Sequence, residues 1–192
     1  MSDKPKIVAI SGSLRARSSN TELLKAAQTI AADIADVVLW NGLNELPHFN
    51  PDNDLEGAEL PSPVNAFRAQ IQDAGALVIS TPEYAHGIPG SLKNALDWLV
   101  SGREMIGKPI GILNASARST FAHAQIEETL RTKSTNIIPK AVVVVPLDGR
   151  RLDAAQIAAD EELSAIVRGA LATLAATAAR AISVNQWSAK SN

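Results

Sequence analysis

Residues 11–20 read SGSLRARSSN and follow directly on the apolar run KIVAI. Close together stand the hydroxyls of Ser11, Ser13, Ser18 and Ser19, the amide of Asn20 and the guanidinium of Arg15. Such donors can surround one compact dianion from several sides, with the arginine as the charged partner. Two common phosphate loops do not fit. A dinucleotide fingerprint, G-x-G-x-x-G, needs glycines where the backbone meets a pyrophosphate, and here Gly12 stands alone. A P-loop needs a second glycine followed by Lys and Ser or Thr, and neither is present. A terminal phosphate monoester therefore fits better than a bridging pyrophosphate. Ordinary helix capping competes with this reading, because Ser19 and Glu22 spell a capping box, SNTE. Capping accounts for Ser19 and Asn20 but not for Ser11, Ser13 and Arg15 ahead of them.

A second stretch, ISTPEYAHGIPGSLKNALDWLVS at 79–101, carries a different chemistry. Thr81-Pro82-Glu83-Tyr84 opens an apolar run into a loop, and Gly87, Pro89 and Gly90 shape a tight turn into a helix spanning 91–101. A flat aromatic ligand can lie against this backbone. Taken singly, a strand-to-helix turn with a partly buried tyrosine accounts for it equally well. Other constellations are weak. His48, His86 and His123 lack H-x-x-x-H spacing, so no metal site is expected. No G-x-S-x-G elbow points to a serine hydrolase. The absence of cysteine excludes disulfides, thiol nucleophiles and thiolate metal sites. Trp40, Trp98 and Trp187 read as core or interface residues, and Glu127 and Glu128 as a solvated helix face.

Both loops must be positioned by something regular. Five short apolar runs recur, at 6–10, 36–40, 76–80, 109–113 and 141–145. They are nearly unbroken rather than alternating, as in strands of a parallel sheet buried on both faces. Between them the apolar residues take a helical period. Leu23, Leu24, Ala27, Ile30, Ala31 and Ile34 share one stripe, and Ile88, Leu92, Ala95, Leu96 and Leu99 another. Leu163, Val167, Leu171, Leu174, Ala178 and Ile182 extend the pattern through a long last helix, and weaker helices fit 63–74 and 121–133. Alternating strand and helix predicts a doubly wound α/β sandwich with right-handed crossovers. In such a sheet ligands sit at the carboxyl ends of the strands, where both loops fall.

The length suits one domain over 1–192, with no composition break. The long irregular stretch 41–63, rich in Pro, Asn, Asp and Glu, reads as functional or mobile, and the tail 188–192 as frayed. A net charge of −2 is poorly suited to a nucleic-acid backbone, so no nucleic-acid partner is expected. No long apolar segment before a cleavage site and no uninterrupted apolar span suggest a cytoplasmic chain with no membrane partner.

Taken together, GSLRARSSN at 12–20 and PEYAHGIPGSLKNALDW at 82–98 resemble the NADPH-dependent FMN reductases, in the flavodoxin-like group of bacterial quinone, azo-dye and chromate reductases. The second motif is the more specific, and the resemblance runs from Ile7 to about Arg180, weakening after Leu113. It implies a flavodoxin-like five-stranded parallel sheet in the order 2-1-3-4-5 with helices on both faces. It implies FMN as cofactor and NADPH, or NADH, as co-substrate. The FMN phosphate falls to Ser11, Ser13, Arg15, Ser18 and Asn20, and the isoalloxazine to Pro82, Glu83 and Tyr84, with His86 and Gly87 completing the loop. Backbone N–H groups around Glu83 and Tyr84 are implied to stabilise the reduced ring. The loop after the fourth strand supplies a third contact in relatives that are glycine-rich there. This chain has NASARST instead, and Ser116 and Arg118 are the residues implied, with Arg118 facing the NADPH phosphates. The implied reaction passes a hydride from NADPH through FMN to a small acceptor such as a quinone, azo dye, chromate or free flavin, with no obligatory catalytic side chain. A homodimer or homotetramer is implied as well. The rival reading is a flavodoxin-like electron carrier or flavin-binding module without NADPH turnover, although flavodoxins pair an acidic surface with a Thr-rich phosphate loop.

Overall fold

The computed structural model describes residues 4–55, 57 and 59–190, with side chains described up to 181. Among the described residues five strands form one sheet, β1 (Lys6–Ser11), β2 (Asp36–Trp40), β3 (Ala76–Ser80), β4 (Pro109–Asn114) and β5 (Asn136–Val144). Every pairing is parallel and the order is β2-β1-β3-β4-β5, the arrangement the resemblance implied. Six helices among the described residues connect and cover it: α1 (Ser19–Ile30), α2 (Ser62–Asp73), α3 (Gly90–Asp97), α4 (Thr120–Arg131), α5 (Ala154–Ala159) and α6 (Glu161–Lys190).

The unbroken apolar runs have the meaning a two-faced core requires. Along β1, Ile7 and Ala9 join one core with Leu23, Leu24 and Leu171, from α1 and α6. Their neighbours Val8 and Ile10 join the opposite core with Phe67, Leu96 and Trp98, from α2 and the end of α3. The period of two in a strand thus distributes alternate residues to two faces, and both faces must be apolar. β3 and β4 are buried along their whole length, whereas the edge strand β5 is mostly not. That strand holds the main departure from the expected bounds. β5 begins five residues earlier, at Asn136 rather than 141: Asn136 and Ile137 pair with Pro109 and Ile110, and the register then shifts before Val142 pairs with Ile112. Pro139 is tolerated because it falls in that register shift on an edge strand, where no ladder pair is made. The short α5 was not legible, and α3 stops at Asp97 with Trp98 as its C-cap rather than running to 101.

α6 is long and apolar enough over Glu161–Ala181 to cross a membrane by length and composition. In the fold its apolar side is core: Leu163, Val167, Leu171, Leu174 and Ala178 are buried against the sheet and α1. The sequence expectations for Ile182, Trp187 and the last residues lie outside the described side chains, and 191–192 outside the described residues.

The 41–63 stretch, beyond two short 3-10 turns at Gly42–Asn44 and Pro51–Asn53, is held by side chains of α2 and α3. Asn94 accepts from Phe49 N–H at 2.7 Å and donates to Pro47 O at 2.9 Å, and Trp98 Nε1 donates to the same carbonyl at 2.8 Å. Trp98 is fully buried, so it is a core residue. The Asn and Trp of LKNALDW therefore serve the scaffold, tying the long loop to the helix that follows the second motif. Arg68 of α2 adds a further tie: its Nε meets Glu104 at 2.5 Å and its Nη1 meets Asp54 at 3.1 Å.

Candidate functional site

β1 and β3 lie side by side, and the chain leaves them for opposite faces, so their carboxyl ends flank a crevice. The loop 12–18 leaves β1 there and the loop 81–89 leaves β3. They are in contact: Gly12 N–H donates to Ser80 O at 2.8 Å, and a Cβ on Gly12 would stand 2.3 Å from Thr81 Oγ1. Only a residue without a side chain lets the two loops pack so closely.

In the first loop Ser11, Ser13, Ser18 and Asn20 are all buried, while Leu14, Arg15, Ala16 and Arg17 are exposed. The hydroxyls organise the backbone. Ser11 Oγ pairs with Thr21 Oγ1 at 2.7 Å and accepts from Ser13 N–H, and Ser13 Oγ accepts from Arg15 N–H. Ser18, not Ser19, is the N-cap of α1, its Oγ accepting from Thr21 N–H at 3.4 Å. The expected Ser19–Glu22 capping box is absent because Glu22 turns elsewhere, to Lys25 Nζ and to Ala154 N–H at the start of α5. Ser80, fully buried at the end of β3, donates to Asn20 Oδ1 at 2.8 Å. That bond fixes the Asn20 amide with its NH2 as the remaining donor. The first N–H groups of α1, a capping serine with its proton free and the Asn20 amide make a donor-only set suited to an anion.

The second loop is a tight hairpin. Tyr84 N–H donates to Gly87 O at 2.9 Å and Gly87 N–H returns to Tyr84 O at 3.0 Å. Ala85 and His86 between them both take left-handed backbone, at φ 49° and 59°. Non-glycine residues there cost about 1 kcal/mol or more each, so the surroundings must hold the turn. They do so from α4: Gln125 Oε1 accepts from Ile88 N–H at 2.7 Å, and the His86 ring stacks on Phe121 at 4.3 Å. Glu83 turns toward the same helix, its carboxylate accepting from Ala122 N–H at 2.9 Å in the first turn of α4. The Tyr84 N–H is thus used inside the hairpin and is not free for a ligand, and the Glu83 side chain is a cap.

The third loop departs from expectation in a definite way. Ser116 and Arg118 are both bound by Asp148, which follows β5 and which sequence reasoning missed. Asp148 accepts from Ser116 Oγ at 2.5 Å, from Ala117 N–H at 3.2 Å and from Arg118 Nη2 at 2.9 Å. The Ser116 hydrogen bond first, and Arg118 with it, hold the Asp148 carboxyl below its usual range. A depressed folded value means that this clasp is fully made above the unfolded pKa of about 3.9 and is lost only as pH falls through the lower folded value. Exchange of the Ala117 amide should therefore be insensitive to clasp titration between about pH 5 and 8. Asp148→Asn should accelerate it throughout that range, read by amide hydrogen exchange.

These pieces surround a cleft of about 270 Å3. Among the expected residues it is lined by Asn20, Pro82, Glu83, Ser116 and Arg118, together with Asp148. Arg15 and Ser18 line an adjoining groove of about 700 Å3 that shares Ser19 with the cleft. Tyr84 and His86 stand exposed on the second loop, and Ser11 and Ser13 lie beneath the first. No cluster of potential metal ligands occurs among the described residues.

The sequence pattern of the NADPH-dependent FMN reductases matches residues 5–148. The chain is 34% identical over 179 residues to an NAD(P)H-dependent FMN reductase of Pseudomonas aeruginosa, spanning 91% of this chain and 95% of that one. It is 33% identical over 133 residues to a quinone reductase of Escherichia coli, spanning 68% of this chain and 70% of that one. Among solved structures, a flavoenzyme NAD(P)H:(acceptor) oxidoreductase of Paracoccus denitrificans matches with a TM-score of 0.74 at 25% identity, covering 92% of this chain and 98% of that one.

Proposed function

Since the chain belongs to the NADPH-dependent FMN reductase family, we propose that it holds FMN across the two loops and reduces a quinone-type small molecule with electrons from NAD(P)H. When bound, FMN supplies the redox chemistry that joins the nucleotide to the acceptor, and the protein supplies binding and orientation. The observation that carries the reading is the donor set at the start of α1, which borders both the groove at Arg15 and Ser18 and the cleft lined by Asn20, Thr81, Pro82 and Glu83.

In this reading Ser11, Ser13, Arg15, Ser18 and Asn20 hold the phosphate. Their shares differ. Ser18 and Asn20 stand at the helix start as donors, Arg15 adds the charge, and Ser11 and Ser13 shape the backbone between them. Pro82 and Glu83 face the ring through the main chain, Tyr84, His86 and Gly87 form the hairpin beside it, and Ser116 and Arg118 close the far side under the control of Asp148. Proton and hydride positions need no catalytic side chain in this scheme. Arg15→Ala should weaken FMN binding by about 1.5–3 kcal/mol, the scale of a charge-assisted hydrogen bond. Flavin fluorescence titration measures it, and an unchanged affinity would remove Arg15 from the site.

The whole chain works as one domain in this reading, in the cytoplasm where reduced nicotinamide nucleotides are made. Leu14, Tyr84 and Phe121, each more than half exposed, support assembly into a homodimer or homotetramer through the rim of the cleft. Steady-state NADPH and NADH oxidation, with and without a quinone, tests the activity. FMN-loaded protein that turns over neither nucleotide would return the chain to the electron-carrier reading.

A further inference from the structure

The groove beside the cleft is lined by three guanidiniums: Arg15 and Arg17 from the loop after β1, and Arg151 from the segment between β5 and α5. Among the described residues none of these three side chains has a carboxylate partner, whereas Arg68, Arg118, Arg131, Arg150 and Arg168 each have one. Two carboxylates also line the groove, and both are engaged by other donors. Glu22 accepts from Lys25 Nζ and Ala154 N–H, and Asp153 accepts from Gln156 N–H in the cap of α5. The groove therefore presents uncommitted cations and already satisfied anions.

Its volume, about 700 Å3, lies in the range that accommodates a whole small ligand and far exceeds one phosphate. Because Ser19 lines both cavities, a molecule anchored at the start of α1 can extend into either. Arg151 lies beyond residues 5–148, so this side of the groove comes from outside the region the family pattern matches. Guanidinium groups grip phosphate oxygens in a planar fork.

We propose that Arg17 and Arg151 form a second phosphoryl-binding subsite, which takes a nucleotide phosphate other than the flavin's own. The proposal rests on the reading that the FMN phosphate is held at the first loop. The second phosphate has two sources of the same chemistry. One is the adenosine end of a nicotinamide dinucleotide lying over the cleft, and the other is the pyrophosphate of FAD bound in place of FMN.

The test compares the wild-type protein with the double variant Arg17→Gln, Arg151→Gln. Each protein loaded with FMN is titrated by calorimetry with adenosine 2′,5′-bisphosphate, and each flavin-free protein is titrated with FMN and with FAD. The variant should keep its melting temperature and its FMN affinity within about two-fold, because both side chains are exposed and lie outside the first cradle. It should lose about ten-fold or more in affinity for the bisphosphate or for FAD, with a shallower salt dependence. Loss confined to the bisphosphate supports the subsite with the co-substrate as source, and loss confined to FAD supports it with FAD as source. Equal affinities of wild type and variant for both probes would overturn it. A matching loss of FMN affinity would overturn it too, by assigning the arginines to the first phosphate. Wild-type protein that takes up no FMN would instead overturn the functional reading beneath it.

Discussion

Gly12→Ala should lower FMN affinity by about ten-fold or more and destabilise the fold by about 1–3 kcal/mol. The added methyl would stand 2.3 Å from Thr81 Oγ1, 2.8 Å from Thr81 Cβ and 3.0 Å from Leu92 Cδ2. Thr81 is buried and Leu92 fully so, and neither can swing aside without disturbing the start of the second loop. The first loop must then lift away from β3, loosening the Gly12 N–H bond to Ser80 O and the Ser80 bond that orients Asn20. A single methyl thus strikes both loops of the proposed flavin site at once. Gly169→Ala is the matched control, since a Cβ there meets open space on the exposed side of α6. It should leave FMN affinity unchanged and raise stability by up to about 1 kcal/mol through helix propensity. Flavin titration and urea unfolding of the two variants decide the matter, and equal flavin affinities would refute the close-packing argument.

The second large effect lies away from the cleft. Arg68→Ala should destabilise the protein by about 2–4 kcal/mol, toward the lower part of the range for breaking a buried ion pair because the guanidinium keeps some solvent contact. The side chains of Asp54 and Glu104 are only 5% and 8% exposed, and both would lose the charge that balances them. Ser101 donates to Asp54 at 2.7 Å and softens its loss, but no other cation is paired with Glu104 among the described residues. The melting temperature should fall by roughly 5–15 °C for a chain of this size. Replacing the pair together, Arg68→Met with Glu104→Leu, should recover part of the loss, since the penalty comes from the stranded charge more than from the missing bond. FMN affinity should change little in either variant, and a large loss would mean that the 41–63 loop reaches the flavin site.

What is legible in the sequence follows from the range of each interaction. The SGSLRARSSN and PEYAHG loops could be placed at one sheet edge because unbroken apolar runs mark strands buried on two faces, and parallel strands put every odd-numbered turn on the same side. The donor chemistry of Ser18, Asn20 and Arg15 is likewise written in the side chains. The capping box failed for a tertiary reason: Glu22 is drawn to an N–H of α5, 132 residues away along the chain. The early start of β5 is hidden because Pro139 and Lys140 interrupt its apolar run, and the register shift there is set by pairing with β4 rather than by a local period.

The alternation of strand and helix, the two-faced core and the polar donors of the phosphate loop follow from residue type and from local periods of two and 3.6, so the chain carries them in its primary structure. Which groups are free to act is settled by long-range packing. That packing makes Glu83 a cap, binds Ser116 and Arg118 to Asp148, and gathers Arg15, Arg17 and Arg151 around one groove. Those outcomes depend on where distant loops meet, and no local pattern records a partner that the folding of the sheet alone brings within hydrogen-bonding reach.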